Sequence, residues 1–244
     1  MSLATGLYRP ARWLYTRVRP GQLRALREDV ELYRSLLTQA AVCFDIGANI
    51  GDKSDALLRA GSRQVIAFEP NARVIPELRA RCGHDKRWKL VEAAVGRNAG
   101  MRTLYVHEAH GSSSFMRDWG GQSVAEEQVP VTTLDSVIEK FGVPDYVKID
   151  TEGWEGEVLA GLTQRVRLVS FEFHLGGNGA QKARACLQRL REFGRASVNL
   201  TPAETSRFQF AEWWTLDEMI DWFPGDLGET LPGYPYGDLF VKAR

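Results

Sequence analysis

The segment Val42-Cys43-Phe44-Asp45-Ile46-Gly47-Ala48-Asn49-Ile50-Gly51 constrains this chain more than any other. A short β-favouring run ends in two glycines, and from Asp52 onward Ala56, Leu57 and Ala60 recur at helical spacing. Gly47 and Gly51 admit backbone angles and close approaches that a side chain would block. A strand that turns on glycines into a helix holds ligands at the carboxyl edge of a doubly wound α/β sheet, so Gly47, Ala48, Asn49 and Gly51 are the expected cofactor contacts. A tight turn without a ligand gives the same pattern, and the next strand adds the missing information. Gln64–Phe68 is a second apolar run, followed by Glu69-Pro70-Asn71. An acid about 20 residues beyond the glycine turn can accept both hydroxyl hydrogens of a ribose. The competing reading of Glu69 is a carboxylate favoured by a helix start.

The first loop lacks the Gly-x-Gly-x-x-Gly spacing of dinucleotide sites, which disfavours a nicotinamide or flavin dinucleotide. Asp45 precedes the turn, where its charge would repel a pyrophosphate but pair with an ammonium or sulfonium group. S-adenosylmethionine carries that positive charge, has no phosphate, and presents a ribose for Glu69. Asp45 can also serve as a cap for loop amides.

Several further segments extend the pattern: Phe68-Glu69-Pro70-Asn71, Ala93-Ala94-Val95-Gly96, Thr133-Leu134-Asp135, Lys148-Ile149-Asp150-Thr151-Glu152-Gly153-Trp154-Glu155, Val158-Leu159-Ala160-Gly161 and Glu172-Phe173-His174, with an echo in Gly237-Asp238-Leu239-Phe240. Together with the first glycine turn, these segments resemble the FkbM family of S-adenosylmethionine-dependent methyltransferases over roughly residues 40–175. The resemblance implies an α/β, Rossmann-like seven-stranded methyltransferase sheet with helices on both faces. It also implies O-methylation of a sugar, glycolipid or natural-product hydroxyl. Glu92 stands where the family pattern leads one to expect asparagine, which bears on the adenine contact.

Composition fits a globular enzyme, with 44% hydrophobic and 25% charged residues over 244 positions. Lys plus Arg equals Asp plus Glu at 31 each, so no global field favours nucleic acid as a partner. Cys43, Cys82 and Cys186 are too few and scattered for a disulfide framework or zinc cluster, and a reducing, cytoplasmic setting is expected. No apolar run reaches the ~18 residues of a membrane span, and no signal-peptide core is visible. The expected division is a helical extension over residues 1–40 and a methyltransferase domain over 41–244. The extension carries Arg9, Arg12, Arg17, Arg19, Arg24 and Arg27 among Trp13, Leu14 and Tyr15. That surface suits weak contact with anionic lipid, but Leu23, Leu26, Val30, Tyr33 and Leu37 at helical spacing favour packing on the sheet.

Beyond the second strand, a helix is expected over Pro76–Arg81 and a third strand over Lys89–Val95. Near its end Glu92 is placed to accept from the adenine amine and the Ala93 amide to donate to a ring nitrogen, unless Glu92 points to solvent. Met101–His107 alternates like an extra strand, and the loops His110–Ser114 and Gly120–Gln122 suit a lid or a plain hairpin connection. Strands over Asp145–Asp150 and Leu168–His174 deliver Asp150, Glu152, Glu172 and His174 to the same edge. His174 is the candidate general base for a hydroxyl acceptor, Glu172 its orienting partner, and Asp150 the contact to the donor's methionine moiety or the acceptor hydroxyl. In an alternative, minority mechanism Asp150, Glu152, Glu172 and His174 gather a divalent ion that lowers the hydroxyl pKa, although no tight local ligand motif demands a metal. After a helix over Ala180–Phe193, the aromatic residues Phe208, Phe210, Trp213, Trp214, Trp222 and Phe223 read as a core patch or as the floor of a sugar pocket. The remaining alternatives are a nucleotide-dependent oxidoreductase and a noncatalytic cofactor-binding protein of the same fold. The acceptor's identity and the oligomeric state do not follow from the sequence.

Overall fold

The computed structural model describes residues 20–107, 113–117, 119, 123–203, 205–223 and 235–244. Arg9, Arg12, Trp13, Leu14, Tyr15, Arg17 and Arg19, the loop positions 110–112 and 120–122, and the segment 224–234 lie outside the described residues.

The chain begins with α1 (Pro20–Leu36), then β1 (Val42–Ile46), α2 (Asp52–Ala60), β2 (Gln64–Phe68), α3 (Ile75–Cys82), β3 (Trp88–Val91), β4 (Ala94–Val95), β5 (Gly100–Val106) and β6 (Ala125–Thr132). It continues with α4 (Leu134–Phe141), β7 (Tyr146–Ile149), α5 (Glu155–Ala160), β8 (Leu168–His174), α6 (Gly179–Arg191), β9 (Ala196–Pro202), β10 (Trp214–Thr215), α7 (Leu216–Trp222) and β11 (Tyr236–Ala243). The main sheet runs β10-β9-β11-β8-β7-β1-β2-β3. Strands β3, β2, β1, β7 and β8 are mutually parallel, and β11 inserts antiparallel between β8 and β9. The order reverses between β1 and β7, the crevice where such sheets bind ligands.

Two expectations need correction. The sheet has eight strands rather than seven, because the two-residue β10 adds an antiparallel edge to β9. The expected strand over Lys89–Val95 breaks after Val91, where the Ala93 amide turns back to donate to the Val91 carbonyl at 2.9 Å. Ala94–Val95 then joins β5 and β6 in a separate three-stranded sheet.

Period-two alternation sorts the strand residues onto two cores. Val42, Phe44 and Ile46 of β1 join Ile149, Phe171, Leu159 and Leu187 beneath α4, α5 and α6. Cys43, Ala67 and Tyr146 meet Tyr33, Leu57 and Leu78 of α1, α2 and α3 on the other face. All three cysteines are free and buried, and burial pushes the Cys43 and Cys186 thiols up to about 12, so neither is a nucleophile.

The apolar stripe of α1 packs on the sheet, with Val30, Leu32 and Tyr33 buried and the Tyr33 ring 5.8 Å from that of Tyr146. Arg24 and Arg27 face solvent, and Arg24 pairs with Glu28. The C-terminal aromatics pack on one another: Phe210 stacks on Trp214 at 4.1 Å, Trp222 meets Trp214 edge-on at 5.7 Å, and Phe208 lies 5.0 Å from Trp213. They complete the two cores and line neither cavity at the strand ends, so the sugar-floor reading of this group is replaced by core packing.

Because Tyr33 is 3% exposed, Tyr33→Ala should cost about 3 kcal/mol of folding stability, as aromatic truncations in cores do. Urea denaturation checks this, and an unchanged midpoint would show that α1 is not part of the cooperative unit.

Candidate active site

Two loops meet at the carboxyl ends of β1 and β7, and both make left-handed turns. Gly47, Asn49 and Gly51 have φ of 78°, 48° and 92°, and Glu152 and Gly153 have φ of 54° and 90°. Gly47 is required twice over, since a Cβ there would lie 1.8 Å from the Asp150 carbonyl oxygen. Gly153 leaves room for the Trp119 ring, which a Cβ would approach to 2.6 Å. Positive φ at Asn49 and Glu152 is uncommon outside glycine and costs energy that the surrounding contacts must repay. Buried Glu155 supplies much of this at the second turn: its Oε1 accepts from the Thr151 and Gly153 amides, both at 3.0 Å, and from the Thr151 hydroxyl at 3.1 Å.

The first cavity lies between these loops and is lined by Gly47, Asn49, Glu69, Asn71, Asp150 and Glu152 among others. Glu69 is 6% exposed and clamped by backbone amides, with the Asn49 N–H on Oε2 and the Asn71 N–H on Oε1, each at 2.8 Å. Burial pushes the Glu69 carboxyl up to about 7, opposed by those two amides. Each oxygen keeps a lone pair for a hydroxyl donor. Asn49 Oδ1 is buried on the same cavity and has no hydrogen-bond partner among the described residues. Ser113, Ser114 and Phe115 close the cavity, tied down by the Asn71 side-chain amide donating to Ser113 Oγ at 3.2 Å and by the Ser114 hydroxyl donating to the Glu152 carbonyl at 2.7 Å. The enclosed volume is about 80 Å³, below the ~300 Å³ usual for a cofactor site.

The remaining expected contacts fall outside this cavity. Asp45 shares the face of Cys43, so its fully buried carboxylate turns beneath the sheet, where it accepts from the Ser54 hydroxyl at 2.7 Å and faces the Lys148 ammonium at 3.7 Å. It does not line the cavity, and its charge reaches the site through Lys148, which binds Asp150 at 3.0 Å. Burial alone would lower the Lys148 pKa, but Asp150 and Asp45 outweigh it and raise it. Glu92 points to solvent and pairs with Arg79, and the Ala93 amide is spent on Val91, so neither meets adenine as expected; the neighbouring Ala94 lines the cavity. Gly51 caps the start of α2 against Leu78, and Ala48 is buried behind the loop.

A second cavity of about 510 Å³ opens between β8, α5 and α6. Its walls include Trp119, Trp154, Met116, Lys182, Glu172 and His174. Glu152 of the first cavity and Glu172 and His174 of the second bring ligand atoms within 4.8 Å of one another, so the cluster forms the partition between the two spaces. His174 Nε2 and Glu172 Oε2 are 2.9 Å apart, the Trp119 indole donates to Glu152 Oε2 at 2.7 Å, and the Trp119 ring meets His174 edge-on at 4.9 Å. Burial pushes Glu152 up to about 7, helped by Asp150. Burial and then Asp150 raise Glu172 strongly, while Asp150, despite its own burial, is held down by Lys148. Burial lowers His174 against the pull of Asp150, so its imidazole is neutral near pH 7. Asp150, Glu172 and His174 are thus brought together as expected. Trp119 and Lys182 were not foreseen: one sits in a loop without periodicity, the other on a helix whose pattern signals only packing.

An amide-clamped carboxylate, an acid–histidine cluster and a large aromatic-walled cavity thus lie together at the carboxyl edge of a doubly wound sheet. The chain belongs to the FkbM methyltransferase family, whose domain model, the methyltransferase FkbM domain, matches residues 45–224. The matched region is by that description a methyltransferase domain. The chain is 30% identical over 170 residues to the hexuronic acid methyltransferase AglP of Haloferax volcanii, a match covering 64% of this chain and 66% of that protein, just under two thirds of the relative's length. Solved structures with a similar trace include precorrin-6Y C5,15-methyltransferase from Geobacter metallireducens, at 12% identity, 88% coverage of both chains and a TM-score of 0.47. The O-methyltransferase from Bacillus cereus in complex with SAH is another, at 14% identity, 93% and 82% coverage and a TM-score of 0.46.

Glu69, like Glu152 on the same cavity, is raised by burial to about 7. A pKa raised to about 7 means that its contribution to the stability of the unliganded protein is fully present below the unfolded value and is lost as pH rises through about 7. A ribose hydroxyl pair favours the carboxylate, so affinity for S-adenosylhomocysteine should fall as pH drops from about 8 to about 6, with proton release on binding. Calorimetry in buffers of different ionisation enthalpy reads both, and a pH-independent affinity would contradict the clamp.

Proposed function

We propose that this methyltransferase moves the methyl group of S-adenosylmethionine to a hydroxyl oxygen of a sugar or sugar-bearing natural product, and that residues 41–244 form the catalytic unit. The observation that carries this reading is the Glu69 carboxylate, fixed by two amides and facing a cavity that abuts the His174 partition. The name of the Haloferax relative supports a sugar acceptor.

Glu69 would hold the ribose hydroxyls, and Gly47 would let the β1 loop close on the donor. Asn49 Oδ1 and Asp150 would accept from its ammonium. The whole donor fits only if Ser113–Phe115 move outward. When bound, S-adenosylmethionine supplies an electrophilic methyl group on a sulfonium. The acceptor oxygen must stand in line with it at ~3–3.5 Å and lose its proton.

His174 is the base in this reading. With Glu172 neutral, its hydroxyl donates to Asp150 and its other oxygen accepts from His174 Nε2–H, a tautomer assigned from the hydrogen-bond network. Nδ1 is then the acceptor for the hydroxyl proton, and Glu172 stabilises the resulting imidazolium.

Two variants separate binding from chemistry. Glu69→Ala should weaken S-adenosylhomocysteine binding by about 1.5–3 kcal/mol, the worth of hydrogen bonds to a charged group, and an unchanged affinity removes Glu69 from the donor site. His174→Ala should keep donor affinity, slow transfer roughly 10²-fold or more, and abolish an acid limb in kcat that lies below the ordinary histidine range. A variant that retains both rate and limb rules out the base.

A further inference from the structure

We propose that the second cavity takes an acceptor whose ring carries a carboxylate, and that the Lys182 ammonium reads that charge. This rests on the sugar acceptor proposed above and deepens it.

Lys182 lies in the first turn of α6, half-buried, with its side chain on the cavity wall. Its contacts are the Met116 thioether at 3.0 Å, the Gly153 carbonyl at 3.5 Å and the face of Trp119, whose ring centroid is 5.6 Å away. It pairs with no carboxylate among the described residues. A thioether and a carbonyl leave the positive charge unneutralised, and a half-buried ammonium without a counter-ion is costly. The acids nearby do not supply one: burial first, then neighbouring acids, raise Glu172 so that it stays protonated, and Glu155 is spent on its loop amides. The ligand can supply that counter-ion.

The other cations of the wall narrow the ligand's charge. Arg97 is held by Glu157 at 3.1 Å, and Arg189 by Glu192 and the Leu162 carbonyl. One unspent positive charge matches a monoanion such as a carboxylate better than a phosphate dianion. Trp119 and Trp154 supply aromatic surface for the apolar face of a ring. Lys182 and His174 line the same cavity and both meet the Trp119 ring, at 5.6 and 4.9 Å, so a carboxylate on Lys182 and a hydroxyl at His174 can belong to one monosaccharide.

The test titrates the S-adenosylhomocysteine-loaded protein with methyl β-D-glucuronide and with methyl β-D-glucoside, following Trp fluorescence and saturation-transfer NMR. The glucuronide should bind at least ~10-fold more tightly than the glucoside, with a preference that shrinks in high salt. Lys182→Met should abolish the preference while leaving S-adenosylhomocysteine affinity unchanged, and Lys182→Arg should restore much of it. Equal binding of the two glycosides, binding of neither, or a preference that survives Lys182→Met overturns the assignment. Methyl transfer distinguishes this failure from that of the broader reading. If the glucoside is methylated as well as the glucuronide, the carboxylate reading falls and sugar methylation stands. If Glu69→Ala leaves S-adenosylhomocysteine binding intact, the donor site itself is wrong.

Discussion

A single buried ammonium organises the carboxyl edge of this sheet. Lys148 sits between Asp45 and Asp150, at 3.7 and 3.0 Å, with 6% of its side chain exposed. Removing one partner of such an arrangement leaves an uncompensated charge in a dry place, which costs several kcal/mol. Lys148 can hold Asp150 ionised, but it cannot also neutralise Glu152 and Glu172. Those acids are raised by burial first and then by Asp150, and burial keeps His174 neutral beside them. The protonation pattern on which the proposed role of His174 as base depends thus follows from a shortage of positive charge. A carboxyl kept neutral near pH 7 becomes a hydrogen-bond donor, which is what fixes the Asp150–Glu172–His174 chain.

The same edge separates two chemical environments. On one side the amide-clamped Glu69 and the left-handed loop at Gly47 and Asn49 present acceptors and a close backbone to the donor. On the other, indole rings and Lys182, which pairs with no carboxylate among the described residues, line a roomy cavity. The acid–histidine cluster lies between them, and in the proposed reaction this would let electrophile and nucleophile approach from opposite sides, as an in-line displacement requires.

Much of this was legible in the sequence because it depends on local rules. Glycines after β1 and an acid after β2 are tied to the chain direction of a parallel sheet, and they put Gly47, Asn49 and Glu69 on one cavity. Asp45 was misplaced because strand parity, which groups it with Cys43, outweighed its position beside the turn. Glu92 and Ala93 were misplaced because a break in the strand after Val91 is set by β4 joining the small sheet, a long-range event. Tryptophans near the C-terminus were ambiguous by composition, and packing against Phe210 and Phe223 decided for the core. Trp119 and Lys182 reach the site from a loop and a helix far apart in sequence, and only the tertiary fold brings them together.

The most direct test is a structure of the protein with S-adenosylhomocysteine. The account predicts both ribose hydroxyls on the Glu69 carboxylate and the thioether sulfur directed at the partition formed by Glu152, Glu172 and His174. A nucleoside seated elsewhere, or a sulfur directed away from that partition, would contradict it.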